Sequence, residues 1–162
     1  MDIASILASL ESSRIAVGIK TSSYWFPFFE SLHVIGLTSV FGTIAIVDLR
    51  LMGVASMHRA FTKVAADILK WTWAAFALTA VTGTLLFITN AGVYYHNTCF
   101  RAKMTMLLLA GINMGVFELT AGRTVQRWDT GLTPAAGKVA AILSLVLWVS
   151  IIFCGRWIGF TT

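Results

Sequence analysis

Four long apolar stretches dominate this sequence and limit what the chain can fold into. Hydrophobic residues make up 57% of the 162 positions and charged residues only 12%, with a mean hydropathy of +0.81. A soluble domain of this length needs far more charge to cover its surface. A membrane-spanning helix needs about 20 largely apolar residues, which each stretch provides or nearly provides. The sequence therefore predicts an all-α integral membrane protein, a bundle of four spanning helices in a lipid bilayer.

The predicted spanning helices cover about 27–51, 70–92, 102–121 and 138–160, within one membrane domain of residues 24–162. The stretch SMHRAFTKVAAD, residues 56–67, is predicted as a polar loop between the first two.

An amphipathic segment precedes this domain, at residues 1–23. Its apolar side chains recur at helical spacing, with serines on the opposite side; they are Ile3, Ile6, Leu7 and Leu10. This pattern is typical of a helix that lies on the membrane surface.

Basic side chains in the loops predict the orientation of the bundle. The first and third loops carry seven of them: Arg50, Arg59, Lys63, Lys70, Arg123, Arg127 and Lys138. The opposite side carries five, so the positive-inside rule places loops one and three in the cytoplasm and both termini in the periplasm. The pI of about 9.6 is explained by these loop charges. No basic patch with interleaved aromatics points to nucleic acid.

Glu30 and His33 lie one helical turn apart inside the first apolar stretch. At about 1.5 Å of rise per residue, His33 lies about 9 Å from its helix centre toward the termini. The side chains at a similar depth on the remaining helices are Thr89, Asn90, Met106 and Cys154. Those about one turn further out, below the loop that carries His96 and Cys99, are Glu30, Lys103, Met104 and Arg156. Polar groups at membrane depth usually face the bundle interior and are functional, so this layer is the predicted site.

A purely structural alternative explains the same residues. Glu30 pairs with Lys103 or Arg156, and His33 hydrogen bonds to a backbone carbonyl or to a Thr or Asn side chain. The sequence leaves both interpretations open.

Haem b is one candidate cofactor, because bis-axial ligation needs two ligands at matched depth. His58 is about 37 Å from His33 along the helix path, so these two cannot share an iron. The remaining pairs join His33 to His96, Met104 or Met106, which allows one haem at most.

Copper is the second candidate, because imidazole, thioether and thiol ligands suit Cu(I). The predicted metal ligands are His33, Met106 and Cys154, although no tight MxxM or CxxC spacing is present.

A second polar layer lies toward the loops. It consists of Asp48, Arg50 and Glu118, with Lys70 and Arg123 nearby, and its near-balance of charge favours a salt-bridged structural network. Proton handling at Glu118 or Asp48 is the alternative, because desolvation raises the pKa of a carboxyl group. Asn113 lies inside the step Gly111-Ile-Asn-Met-Gly115, where small residues let helices approach closely, within the bundle or in a homo-oligomer. Its side chain is predicted to hydrogen bond across a helix interface.

The segments ESLHVIGLTSVFGTIAIVDLRLMG, TGTLLF, FRAKMTMLLLAGIN and GRWIGF resemble an uncharacterised family of bacterial four-helix inner-membrane proteins. They are more distantly similar to copper-resistance D-type and b-type cytochrome membrane proteins. The resemblance implies a bacterial plasma-membrane location and brings no established activity. Related chains often carry a histidine near the end of the third helix, where this chain has Glu118, so haem ligation does not transfer to that position.

These observations predict a redox-linked membrane protein that binds one haem b, or faces a quinone, at the layer around His33. Electrons would come from a periplasmic or membrane partner. The alternatives are a copper-handling protein and a non-catalytic membrane anchor subunit of a larger complex. Whether the chain is an enzyme is left open by the sequence.

Overall fold

The computed structural model describes residues 2–56 and 58–161, which form seven α-helices and one short 3-10 helix and contain no β-strand. In chain order they are α1 (Ile3–Glu11), α2 (Arg14–Thr21), α3 (Trp25–Met52), α4 (Phe61–Thr89), α5 (Ala91–His96), α6 (Thr98–Leu119), the 3-10 helix (Gly122–Arg127) and α7 (Ala135–Thr161). The predicted all-α four-helix architecture is confirmed.

Four of these helices, α3, α4, α6 and α7, are long and apolar enough to cross a membrane. In the most apolar window of each, at most 33% of the residues are buried inside the protein. The remaining apolar surface needs a hydrocarbon environment, since water would be in contact with it otherwise. The chain is therefore a multi-pass membrane protein.

The four spanning helices run alternately up and down. We call the end that carries both termini the termini face, and the end that carries loops 53–60 and 120–134 the loop face. α3 packs along α4 and α7, and α6 packs along α7, whereas α4 and α6 do not pack along their lengths. Aromatic pairs bridge α4 and α6 near the two faces: Phe87 with Phe100, and Phe61 with Phe117. The bundle thus has one loosely packed seam.

Two apolar clusters fill the interior between the helices. The cluster at mid-depth is centred on Val40, Trp148 and Ile151, and the cluster near the loop face contains Leu51, Phe61, Ala121, Trp128 and Ala141. Both draw side chains from α3, α4, α6 and α7, so they hold the bundle together despite the loose seam.

The second spanning helix begins nine residues earlier than predicted, so the prediction of a polar loop throughout 56–67 is wrong. Asp129, in the loop after α6, caps the start of α4. Its carboxylate accepts hydrogen bonds from the backbone N–H and the hydroxyl of Thr62, each at 2.8 Å, and its carbonyl accepts one from the N–H of Phe61 at 2.9 Å. These acceptors satisfy the N–H groups at the start of α4. The helix therefore begins at Phe61, inside the segment predicted as a loop.

The N-terminal segment forms two helices that dock over the termini face. Ser13 separates them and caps α2 by accepting a hydrogen bond from Ala16 N–H at 3.3 Å. Glu11 accepts a hydrogen bond from Gly92 N–H at 2.8 Å, and Lys20 donates one to Asn90 Oδ1 at 2.8 Å. These contacts fasten the segment to the junction between α4 and α5.

The apolar side of α1 is not covered by the protein. No residue of α1 is buried, and Ile3, Ile6 and Leu10 are exposed. The predicted position of this helix on the membrane surface fits that arrangement.

Candidate functional site

His33 lies in the termini-face half of α3, and its ring packs against α4. The ring atom Nδ1 is 3.0 Å from the carbonyl oxygen of Thr79 and 3.2 Å from the hydroxyl oxygen of Thr82. A methyl group on Gly83 would lie 2.8 Å from Cε1 of the imidazole, so the ring occupies the space that this glycine leaves. Three residues on one turn of α4 therefore position the imidazole.

These contacts determine which nitrogen of His33 carries a proton. A carbonyl oxygen can only accept a hydrogen bond, so Nδ1 must be the donor to Thr79. The Thr82 hydroxyl donates to the carbonyl of Leu78 at 2.7 Å, which leaves its lone pairs facing Nδ1. In the neutral imidazole, Nε2 then has a free lone pair, and no hydrogen-bond partner for it occurs among residues 2–56 and 58–161. Nε2 is available to a ligand or to a proton donor.

Lys103 of α6 brings a positive charge to the same depth. Its ammonium is close enough to act electrostatically on His33 and Cys154. A methyl group on Gly155 of α7 would lie 3.4 Å from Nζ, so this glycine leaves room for the lysine side chain. We call His33, Thr79, Thr82, Lys103 and Cys154 the His33 site.

The predicted pairing of Glu30 with Lys103 or Arg156 does not occur. Within the described part of the chain, no carboxylate oxygen lies within 4.0 Å of either base. Glu30 is exposed, and its negative charge acts electrostatically on the Tyr94 phenol instead. The structural alternative is nevertheless correct for His33, whose partners are a backbone carbonyl and a threonine.

A stack of aromatic rings lies between α4, α5 and α6, nearer the termini face than the His33 site. Phe87, Tyr94 and Phe100 have ring centroids 5.3 to 6.4 Å apart and nearly parallel planes. Burial raises the pKa of the Tyr94 phenol, and the negative charge of Glu30 raises it further, while a hydrogen bond from Asn90 opposes the shift. The phenol therefore keeps its proton at neutral pH.

The other predicted ligands do not surround His33. His96 is exposed at the end of α5, where it packs edge-on against Tyr95, and Met104 is 49% exposed. Met106 packs against the cluster of Val40, Trp148 and Ile151. Each of these side chains has neighbours other than the imidazole.

The two cysteines, Cys99 and Cys154, are free thiols, and Cys154 acts electrostatically on Lys103. In the described residues, no group of three or more His, Cys, Asp or Glu side chains is arranged to hold a metal ion.

The second predicted layer, near the loop face, is divided between two sites. Asp48 is buried in the α3–α7 interface, where Ser144 lies near its carboxyl group. Arg50 is completely buried, and its guanidinium donates to the carbonyls of Arg59 and Asp129, each at 3.1 Å. Arg50 thus ties the two loops of this face together.

Glu118, the third member of that layer, is exposed beside Gly122. Lys70 and Arg123 are exposed as well. An ion pair on this face joins Arg59 to Asp67 at 2.6 Å, between two side chains that are more than half exposed.

Asn113 behaves as predicted, because its side chain donates to the carbonyl of Ala140 at 2.9 Å and links α6 to α7. The flanking Gly111 and Gly115 have open space around their Cα atoms, so the small-residue step faces outward.

The α4 side of the His33 site was not identified from the sequence. Thr79, Thr82 and Gly83 are spaced three and four residues apart, which places them on one face of a helix. That spacing is the local signal, but only the packing of α3 on α4 shows that the face meets His33.

Comparison with known proteins identifies a family and no activity. A model described as a family of unknown function, DUF6644, matches residues 10–161. No curated protein matches the chain, and no solved structure matches it. The distant similarity to copper-resistance and b-type cytochrome membrane proteins therefore remains a prediction.

Proposed function

This chain belongs to the family of unknown function DUF6644, and we propose that it is a redox-linked membrane protein that binds the head group of a quinone at the His33 site. The observation that supports the proposal most directly is the juxtaposition of two complementary groups at one depth. His33 offers a free Nε2 lone pair, and Lys103 offers an ammonium with no carboxylate within 4.0 Å in the described chain.

The two groups suit the two protonation states of a quinone. The Lys103 ammonium can donate to a quinone carbonyl, and His33 Nε2 can accept from a quinol hydroxyl. Hydrogen bonds to a charged donor contribute about 1.5–3 kcal/mol, so Lys103 would supply much of the head-group affinity.

The loose seam between α4 and α6 gives a lipid-soluble ligand a route to this site. Because these helices do not pack along their lengths, side chains rather than backbone separate the site from lipid. The aromatic stack of Phe87, Tyr94 and Phe100 lies at the termini-face end of the seam and offers flat apolar surface to a ring.

Binding of a short-chain quinone to the purified protein in lipid nanodiscs tests this function. We expect Lys103→Met to weaken binding about tenfold or more, the loss of roughly 1.5 kcal/mol, and His33→Ala to weaken binding of the quinol. The matched controls Lys70→Met and His96→Ala change exposed residues and should bind like the wild type. Equal affinity of wild type, Lys103→Met and His33→Ala would refute the proposal.

Haem b is the second candidate ligand of this site, because His33 Nδ1 makes the kind of hydrogen bond that orients ligating histidines. Histidine ligands commonly donate their other ring N–H to a backbone carbonyl, which orients the ring and makes the ligating nitrogen more basic. The contact between Nδ1 and the Thr79 carbonyl has this form.

His33 would supply one axial nitrogen to such a haem. His96 is exposed at the end of α5 and Met106 packs against the mid-depth cluster, so the proposed haem would depend mainly on His33. An absorption spectrum of the purified protein tests this: a Soret band that His33→Ala abolishes supports a haem, and a spectrum without such a band refutes it.

Copper handling and a non-catalytic anchor role are the remaining proposals. Metal analysis of the wild type and Cys154→Ser tests the first, and a co-purifying partner protein tests the second. We also propose a bacterial inner-membrane location with both termini in the periplasm, which reporter fusions at each terminus test.

A further inference from the structure

The α3–α7 interface holds a second buried polar pair, in the loop-face half of the bundle. Asp48 is 5% exposed, and the Ser144 hydroxyl of α7 lies near its carboxyl group. Its Oδ2 atom has no hydrogen-bond partner in the part of the chain that the structure describes. Asp48 lies about 22 Å beyond His33 on the same helix, so this pair is separate from the His33 site.

Apolar clusters lie on both sides of the Asp48–Ser144 pair. The neighbours toward the termini face belong to the mid-depth cluster, and those toward the loop face belong to the second cluster. They are Val40 and Leu51 on α3, and Trp148 and Ala141 on α7. Val40 and Leu51 lie on the same face of α3 as Asp48, and Trp148 and Ala141 lie on the same face of α7 as Ser144. The carboxyl group is therefore enclosed by hydrocarbon along the interface.

The charged groups of the neighbouring elements have other partners or lie at the surface. The Arg50 guanidinium bonds to loop carbonyls, and the carboxylate of Asp129 caps α4. Arg59 pairs with Asp67. The remaining titratable residues of this face on α4, α6 and α7 are Lys63, Lys70, Glu118 and Lys138. In the described chain, no side-chain nitrogen of Lys63, Lys70 or Lys138 lies within 4.0 Å of an Asp48 oxygen.

An ionised carboxylate in this position would be expensive. Moving an isolated charge into an apolar interior costs several kcal/mol even after relaxation, and one hydroxyl donor offsets only part of that cost. A protonated carboxyl group replaces the charge by a dipole, which removes most of the penalty. The pair offers too few oxygens for a hard divalent cation, which takes six or more.

We propose that Asp48 is a proton-binding site of the membrane domain. Its carboxyl group carries a proton in the folded protein at neutral pH, hydrogen bonded to Ser144, and exchanges that proton through the loop face. Met52, the last residue of α3, is partly exposed and lies one turn, about 6 Å, beyond Asp48 along the helix, so the loop face is the nearer end of the bundle for this proton. The proposal does not depend on the ligand of the His33 site.

Infrared spectroscopy of the protein in nanodiscs tests this site. A protonated carboxylic acid has a C=O stretching band above the amide I band, and we expect one at neutral pH that shifts on transfer to D2O. Asp48→Asn should remove the band, whereas Glu118→Gln, at an exposed position of the same face, should leave it unchanged. A band that persists in Asp48→Asn, or no band in the wild type, would overturn the proposal.

A second variant keeps the test valid if Asp48→Asn does not fold. Ser144→Ala removes the hydroxyl that lies near the carboxyl group and adds no bulk. We expect the C=O band to move to higher frequency, because a hydrogen bond to the carbonyl lowers that frequency. An unshifted band in folded Ser144→Ala would assign the proton to another carboxyl group and refute the site.

Discussion

Gly83 of α4 and His33 of α3 occupy one continuous space, since a methyl group on the glycine would overlap the imidazole at 2.8 Å from Cε1. The absence of a side chain at position 83 allows the ring to approach α4 closely enough for Nδ1 to reach the Thr79 carbonyl. The orientation of the imidazole thus depends on a glycine from another helix.

Gly83→Ala should displace the His33 ring and destabilise the bundle by about 1–3 kcal/mol, the usual cost of overpacking. Gly111→Ala is the matched control, because nothing lies within 4 Å of the added methyl group. Alanine also has a higher helix propensity than glycine, so this control should be neutral or stabilising. Reversible unfolding in detergent measures both variants, and equal effects would contradict the proposed overlap.

Arg50→Ala should destabilise the protein by about 3 kcal/mol, because it removes a completely buried side chain and leaves two partly buried carbonyl oxygens without donors. It should also increase proteolytic cleavage within loops 53–60 and 120–134, which Arg50 joins. Arg59→Ala removes only the exposed ion pair with Asp67 and keeps the backbone carbonyl that Arg50 uses. It should cost at most about 1 kcal/mol. Similar losses in the two variants would show that Arg50 does not connect the loops.

Asp129 should make stability depend on pH in the acidic range. Hydrogen bonds from the Thr62 backbone and hydroxyl lower the pKa of this carboxyl group. Desolvation opposes the shift, and the nearby Arg50 and the Phe61 N–H lower the pKa further. A carboxyl group with a lowered folded-state pKa stabilises the fold above its unfolded pKa of about 3.9 and loses that effect as pH falls through its folded value.

Unfolding curves measured through that acidic range check this prediction. Wild type should lose stability on acidification, and Asp129→Asn should show a smaller loss because it cannot be protonated. Asp67→Asn is the control, since its carboxylate forms only an exposed ion pair. A wild-type acid profile matched by Asp129→Asn would contradict the role of the cap.

Glu11 should control how firmly the N-terminal helices are held on the termini face. Glu11→Ala removes the acceptor for Gly92 N–H, so amide hydrogen exchange in Ile3–Glu11 should become faster. Glu11→Gln keeps an oxygen acceptor and should exchange nearly as slowly as the wild type. The exchange rates of the two variants, followed by mass spectrometry, separate the hydrogen bond from the charge; identical fast exchange in both would assign the effect to charge alone.

The sequence alone determined the fold class of this protein and the presence of four spanning helices, although the second begins nine residues earlier than predicted. Insertion of a helix into lipid depends on the length and apolarity of one contiguous segment, and both are local properties. His33 and Lys103 were identified for a related reason: a polar side chain inside an apolar stretch is visible without any knowledge of its neighbours.

Only the tertiary structure decided which groups meet. The Thr79 carbonyl and Gly83 become neighbours of His33 because α3 packs on α4. Asp129 caps the start of α4 although it is 67 positions from Thr62 in the sequence. Glu30 seemed placed to pair with Lys103, yet depth along a helix does not specify the direction in which a side chain points. Apolar composition selects a membrane environment, whereas pairing between helices depends on rotation and steric fit, and these emerge only when the helices pack.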